Sequence, residues 1–210
     1  MPGNARVTVA LTGASGARYG LRLLQQLLAG GRGVDLLVSD AARVVLQQEC
    51  ALDLPGNGNS LVQALARHFQ ETGRGVDCAE MRHFAQGDWL APIASGGGSG
   101  TRAMVVCPCS MGTLAAIAHG LSDTLIERAA DVQIKERRPL ILVPRETPLS
   151  PIHLENMLQL ARLGVTILPA APGFYHRPEK LEDLLDFIVA RVLEQLGIAH
   201  SLVPPWPAKN

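Results

Sequence analysis

Aromatic residues are scarce in this chain: four Phe, two Trp and two Tyr among 210 residues, 4% of the whole. A protein that reads single-stranded nucleic acid needs rings on which bases stack, so that class is poorly supplied. Charge of either sign is not in excess, with 19 Lys+Arg against 19 Asp+Glu. A general nucleic-acid binder would be basic, so this balance argues against one. No run approaches the roughly 18 apolar residues of a membrane span. The first residues lack the charged, apolar and small-residue order of a secretory leader. A cytoplasmic protein is therefore expected. The four cysteines, Cys50, Cys78, Cys107 and Cys109, show no Cys-x-x-Cys spacing. Neither a zinc site nor a dithiol motif is indicated, and all four are expected as reduced thiols. The Gly-x-Gly-x-x-Gly fingerprint of dinucleotide sites is missing too.

What is present is core-forming material. Hydrophobic residues make up 47% and charged residues 18% of the chain, which places it among folded globular proteins. The neutral balance also points to surface buried in an assembly, because uncharged surfaces associate. Residues 6–11 read as a buried strand and 12–16 as a Gly/Ser turn. The spacing of Leu21, Leu24 and Leu28 predicts a helix over 17–28, ended by Gly30 and Gly31. Residues 34–38 read as a strand, and Ser39 can cap a helix over 40–49. This βαβα order predicts an α/β three-layer fold with a central parallel sheet and helices on both faces.

Further along, 54–60 is a Pro/Gly/Asn loop, followed by a helix over 61–70 and a weak strand at 79–84. The Gly-rich stretch 95–100 reads as a flexible loop. Strands are expected at 104–107, 140–143 and 165–168. Helices are expected at 111–119, at 123–136 capped by Ser122, at 152–163, and from Pro178 to about 196. Pro204, Pro205 and Pro207 keep the tail from being helical. No repeat or linker interrupts the alternation, so one domain over 1–210 with a C-terminal arm from about 197 is expected.

In open parallel sheets ligands sit beyond the carboxyl ends of the strands. The first such turn, Gly13-Ala14-Ser15-Gly16, combines close backbone approach with the free N–H groups of a helix start, which suit an anion. A tight strand–helix connection is the competing reading. The turn Ser110-Met111-Gly112-Thr113 offers two hydroxyls and another helix start that suit a phosphate; taken alone, simple helix capping is the better reading of it. Arg128, Asp131 and Lys135 share one helical face, which could equally be a solvated face with a 131–135 ion pair. Arg145 and Glu146 follow a strand and so face the crevice. Tyr175 stands beside His176 and Arg177 just after another strand, where an ordinary loop tyrosine is the alternative. No Ser/His/Asp constellation accompanies His176. Glu49 ends a helix, where its charge opposes the dipole, a mildly unfavourable placement that hints at use. Trp89 and Trp206 could line a site or only pack in a core or interface.

Taken in order, these fragments resemble the UbiX-type flavin prenyltransferases. The likeness runs through Val9-Ala-Leu-Thr-Gly-Ala-Ser-Gly-Ala-Arg-Tyr-Gly20, Ser39-Asp-Ala-Ala-Arg43 and Pro108-Cys-Ser110. It continues in Arg128-Ala-Ala-Asp-Val132, Lys135-Glu-Arg-Arg-Pro-Leu140, Arg145-Glu-Thr-Pro148 and Phe174-Tyr-His-Arg-Pro178. The resemblance implies a Rossmann-like flavoprotein that binds FMN. It implies transfer of a dimethylallyl group from dimethylallyl monophosphate to N5 and C6 of reduced FMN, without metal. The product would serve a UbiD-type decarboxylase, for example in ubiquinone synthesis, and the protein would assemble as a homododecamer.

By the same resemblance, FMN is held by Gly13, Ala14, Ser15, Ser39, Ser110, Met111, Gly112, Thr113 and Arg145. The prenyl phosphate falls to Tyr175, Arg191, Arg128 and Lys135, and the catalytic positions are Ser15, Glu49 and Glu146. The stretch 54–75 is longer than in the family pattern. Diphosphate-using prenyl synthases hold magnesium on aspartate-rich motifs. Here the nearest candidate, Glu182-Asp183-Leu184-Leu185-Asp186, reads as the polar face of a helix. A flavin-dependent cysteine decarboxylase, or a flavin carrier without catalysis, are the alternatives. The former carries an Asn-rich motif where this chain has 108–113.

Overall fold

The computed structural model describes residues 6–56, 58–97 and 101–204. Six strands form one wholly parallel sheet: β1 (Arg6–Leu11), β2 (Val34–Val38), β3 (Met81–Phe84), β4 (Thr101–Cys109), β5 (Leu140–Pro144) and β6 (Thr166–Ile167). Their order across the sheet is β3-β2-β1-β4-β5-β6. The chain thus winds outward twice from the centre, and the direction reverses between β1 and β4. That reversal opens a crevice at the carboxyl ends of the two strands.

Side chains of successive strand residues point to opposite faces, and both faces are buried. Val7, Val9, Leu36, Val105 and Ile141 pack on one side with Leu24 and Leu27 of α1 (Ala17–Ala29), and with Leu61, Leu65 and Phe69 further along. Ala10, Leu37, Met104, Val106 and Leu142 face the other side, against Leu114, Ile126, Ala130 and Leu160. The three layers expected from the alternation are therefore present. The remaining helices are α2 (Asp40–Cys50), α3 (Asn59–Glu71), α4 (Met111–Ala118), α5 (Leu125–Lys135), α6 (Pro151–Arg162) and α7 (Leu181–Gln195). The last of these returns to the first face, where Arg22 of α1 donates to both Asp186 oxygens at 2.6 and 3.0 Å.

Several element ends differ from expectation. The cap of α5 is Thr124, not Ser122. The Thr124 hydroxyl accepts from the Glu127 amide at 3.3 Å, while Glu127 accepts from the Thr124 and Asp123 amides at 3.0 and 2.7 Å. This is a Thr-x-x-Glu capping box, and it outcompetes an isolated serine. Helix α7 starts at Leu181 rather than 178, because Asp183 accepts from the Glu179 and Lys180 amides at 2.9 and 3.2 Å and closes the first turn there. Those N–H donors, Glu179 foremost, hold its carboxyl below the usual aspartate range. Strand β4 runs beyond 104–107 at both ends. It carries a register shift between Val106 and Cys109 and a cis peptide between Cys107 and Pro108. All four cysteines are free. Strands β3 and β6 are shorter than 79–84 and 165–168. Trp206 and residues 98–100 of the Gly-rich loop lie outside the described residues.

At the amino edge of the sheet, Asp35 is fully buried and accepts from Arg6 Nε, Arg82 Nε and the Thr101 hydroxyl at 2.9, 2.9 and 3.0 Å. One carboxylate thereby ties four adjacent strands together. The 54–75 stretch is α3 with a pinned loop before it. Arg43 donates to the Leu54 and Gly56 carbonyls at 2.9 and 2.8 Å, and His83 Nδ1 accepts from the Gly58 amide at 3.0 Å. Burial, with a smaller contribution from the Arg43 charge, pushes the His83 pKa down to about 4, so its ring stays neutral.

Candidate active site

The crevice between β1 and β4 is laced by one hydroxyl. Thr12, 1% exposed, donates to the Pro108 carbonyl and accepts from the Ser110 amide, both at 2.8 Å. The turns after the two central strands are therefore fixed to each other. Gly13 has a packing reason for being glycine: a Cβ there would lie 2.5 Å from the Ala41 Cβ of α2. Its lack of a side chain lets α2 close on the turn, which differs from the expected approach to a ligand. Gly16 has φ of +104°, a conformation that favours glycine.

Glu49 explains what happens to the N–H groups at this helix start. Its carboxylate accepts from the Gly16 amide at 3.1 and 2.9 Å and from the Ala17 amide at 2.9 Å. The anion resting on the start of α1 is thus supplied by the chain itself. The charge that opposes the dipole of α2 is stabilised by the dipole of α1. The exposed Ser15 immediately precedes the amide that Glu49 holds, so the two expected catalytic residues do come together. Behind Glu49, Arg18, Arg74, His68 and Cys50 line a cavity of about 430 Å³ between α1, α3 and α7. Glu49 apart, the residues that gather here are not legible as a group in the sequence, because the walls are far apart in it.

Ser39 caps α2 by accepting from the Ala42 amide at 3.0 Å, which leaves its hydroxyl proton available for donation. Ser110 accepts from the Thr113 amide at 3.3 Å and lies 3.1 Å from the Thr113 hydroxyl. Gly112 faces open space, and Met111 is buried beneath the turn. After β5, the Arg145 amide donates to the Cys109 carbonyl at 3.4 Å. The Arg145 Nε is buried and has no hydrogen-bond partner. Glu146 is exposed and accepts from the Thr147 amide at 3.1 Å. Gly13, Ala14, Ser15, Ser39, the 110–113 turn, Arg145 and Glu146 therefore share the carboxyl edge of the sheet.

Tyr175 lies beyond β6 on the same edge. Its ring meets Phe187 of α7 edge-on at 5.6 Å, and His176 stacks on Phe187 at 5.4 Å. Both ring nitrogens of His176 are buried without partners. These rings border a cavity of about 320 Å³ that Arg191, Glu194 and His200 complete. Arg191 is therefore at a cavity wall and not merely on the polar face of its helix. Glu194 and His200 carry no sequence pattern that would have singled them out.

Lys135 is not part of this edge, whereas Arg128 lies near the start of α5, whose Leu125 amide donates to the Gln86 carbonyl just after β3. Arg128 Nε donates to the Ala94 carbonyl at 2.9 Å and its Nη1 pairs with Asp131 at 2.7 Å. The ion pair on this face is thus 128–131, not 131–135. Lys135 pairs with Glu136 in the last turn of α5, just before β5 begins at Leu140. That is the amino edge of the sheet. Arg128 stands about two turns up the helix, roughly 10 Å away along its axis.

Family comparison agrees with the arrangement of turns. Residues 1–193 match the Flavoprotein family model. The flavin prenyltransferase UbiX of Pseudomonas aeruginosa is 53% identical over 206 residues, covering 98% of this chain and 96% of that protein. The chain belongs to the flavin prenyltransferase UbiX family. Among solved structures, AnUbiX in complex with FMN and dimethylallyl pyrophosphate matches with a TM-score of 0.84 at 38% identity, over 99% of this chain and 100% of that one. A dodecameric FMN-dependent UbiX-like decarboxylase from Escherichia coli O157:H7 matches with a TM-score of 0.83 at 39% identity, over 97% and 100%. The Rossmann-like flavoprotein fold of the UbiX family is thus the fold of this chain.

Proposed function

We propose that this chain is a flavin prenyltransferase that moves a dimethylallyl group from dimethylallyl monophosphate to reduced FMN. The observation that carries the reading is the buried, partnerless Arg145 Nε beside the hydroxyls of 110–113. A buried guanidinium N–H needs an acceptor, and a flavin at this edge brings several. FMN fits the turns on that ground, with Gly13, Ala14, Ser15, Ser39, the 110–113 turn and Arg145 as its seat. When bound and reduced it supplies N5 and C6 as the atoms that take the prenyl unit.

The chain's own groups do the rest. The Tyr175 O–H and the Arg191 guanidinium are strong directional donors to phosphate oxygens. Negative charge grows on the phosphate as the allylic C–O bond breaks, so such donors favour the transition state. Glu49 is the carboxylate that receives the proton lost from flavin C6, beside Ser15. Glu146 borders the phosphate side of the edge. Lys135, at the amino edge, and Arg128, near the other end of the same helix, serve the site of a neighbouring copy. A homo-oligomer supports this, and the dodecameric E. coli relative and the exposed Ile152, Leu154 and Leu158 of α6 speak for one. In this reading the whole chain acts as one flavoprotein domain in the cytoplasm, cations rather than a metal neutralise the phosphate, and a UbiD-type decarboxylase receives the product.

The direct test is mass spectrometry of the bound flavin after incubation with dimethylallyl monophosphate under reducing conditions. The expected result is a mass increase of one isoprene unit. Unchanged flavin under conditions where FMN is bound and reduced would refute the assignment.

A further inference from the structure

The cavity beside Tyr175 contains a carboxylate where a phosphate is expected to bind. Glu194 lies one turn beyond Arg191 on α7 and pairs with its guanidinium. On its other side, His200 Nε2 lies 3.5 Å from Glu194 Oε1. His200 Nδ1 accepts from the Leu202 amide at 3.4 Å, which leaves Nε2 as the nitrogen that bears the proton. The imidazole is held in a wall of the cavity, with its side chain 10% exposed. Glu194 thus has two donors within reach, one on α7 and one on the segment after it.

Glu194 engages only Nη1 of the five Arg191 N–H donors, so phosphate can reach the others, but a carboxylate left on the guanidinium neutralises the charge that draws the phosphate in. An unpartnered carboxylate beside a phosphate would also be repelled. Both problems are solved if the carboxylate changes partners. We propose that Glu194 is an internal counter-anion: it occupies Arg191 in the empty cavity, passes to His200 Nε2–H when phosphate arrives, and reclaims Arg191 as phosphate leaves. The inference rests on the prenyltransferase reading, in which cleavage of the allylic C–O bond leaves inorganic phosphate in this cavity. It assigns Glu194 and His200 to positioning and product release, not to bond making. Substrate affinity is moderated so that the product can depart.

The probe is inorganic phosphate, titrated calorimetrically into the FMN-loaded protein. The Arg191–Glu194 pair is half exposed, at 49% and 39% of its side chains. Competition from such a pair is worth about two- to fivefold in affinity. Glu194→Gln is therefore expected to bind phosphate two- to fivefold more tightly by that same estimate, with FMN affinity unchanged. Arg191→Ala in the same background is expected to remove the gain. His200→Leu is expected to weaken phosphate binding, and to have no effect once Glu194 is Gln. Phosphate affinity that is unchanged or lower in Glu194→Gln, or no phosphate binding by the parent, would overturn the proposal. A Glu194-dependent phosphate site in a chain that leaves its flavin unprenylated would instead overturn the prenyltransferase reading while the counter-anion stands.

Discussion

Glu49→Gln separates what this carboxylate does for the fold from what it does for chemistry. In the structure it makes three contacts of 2.9–3.1 Å to the amides of Gly16 and Ala17. A glutamine oxygen can still accept from these N–H groups, so the substitution removes charge more than it removes hydrogen bonds. The lost charge–dipole attraction at an exposed helix start is about 0.3–1 kcal/mol. For a domain of this size that lowers the melting temperature by only about 1–4 °C. Loss of a general base is a larger effect, about a hundredfold or more in rate. The expected outcome is near-normal FMN binding and a small melting shift, with turnover reduced at least about a hundredfold. The assays are flavin fluorescence titration, thermal melting and single-turnover conversion of reduced FMN. Wild-type turnover would remove Glu49 from the mechanism. A collapse in stability far beyond a few degrees would show that the amide contacts matter more than the charge argument allows.

Tyr175→Phe and Arg191→Ala are each expected to weaken use of dimethylallyl monophosphate with FMN affinity near normal, whereas Arg145→Ala is expected to lose FMN first. Titration and kinetics on the three variants check this, and the opposite pattern would reverse the two subsites. Turnover is expected to survive EDTA; loss that magnesium restores would refute a purely cationic clamp. Asp35→Ala removes the buried acceptor that Arg6, Arg82 and Thr101 share and is expected to destabilise by about 3 kcal/mol, read as a lower melting temperature with the spectrum of bound flavin unchanged. Burial raises the Cys107 thiol to about 12 and the Cys109 thiol further. A group whose folded pKa lies above its unfolded value contributes stability below the unfolded value and loses it as pH rises. Melting temperature is therefore expected to fall above about pH 8.5, and a thiol reagent at pH 8 is expected to spare both residues in the native protein.

The layer order was legible because Leu21, Leu24 and Leu28 repeat at helical spacing while 34–38 and 140–143 are short apolar runs. Strand order within the sheet was not, since pairing between β1 and β4 joins residues nearly a hundred positions apart. Ser39 and the turn of Gly13 stand where the alternation put them. The reason for Gly13 was hidden, because Ala41 approaches it only through the fold. The odd placement of Glu49 on its own helix was a readable signal, and its explanation required the second helix that it touches. Arg128 and Lys135 were grouped correctly with each other by periodicity. Their places near opposite ends of α5 depend on how that helix packs on the sheet, which local spacing does not encode. Thr124 and Glu127 were a readable cap that Ser122 obscured.

Helix α2 carries Ser39 at its first cap and Glu49 in its last turn, and Gly13 lets it lie hard against the first loop. It works as a ruler. Ten residues at 1.5 Å set the two groups about 15 Å apart along one rigid rod. Inserting a single residue within α2 would advance Glu49 by that small step but also swing it about 100° around the axis, off the start of α1. The length of this helix is therefore under tighter constraint than its composition. Its outer face can vary freely, while its residue count cannot change by even one without moving the carboxylate away from Ser15.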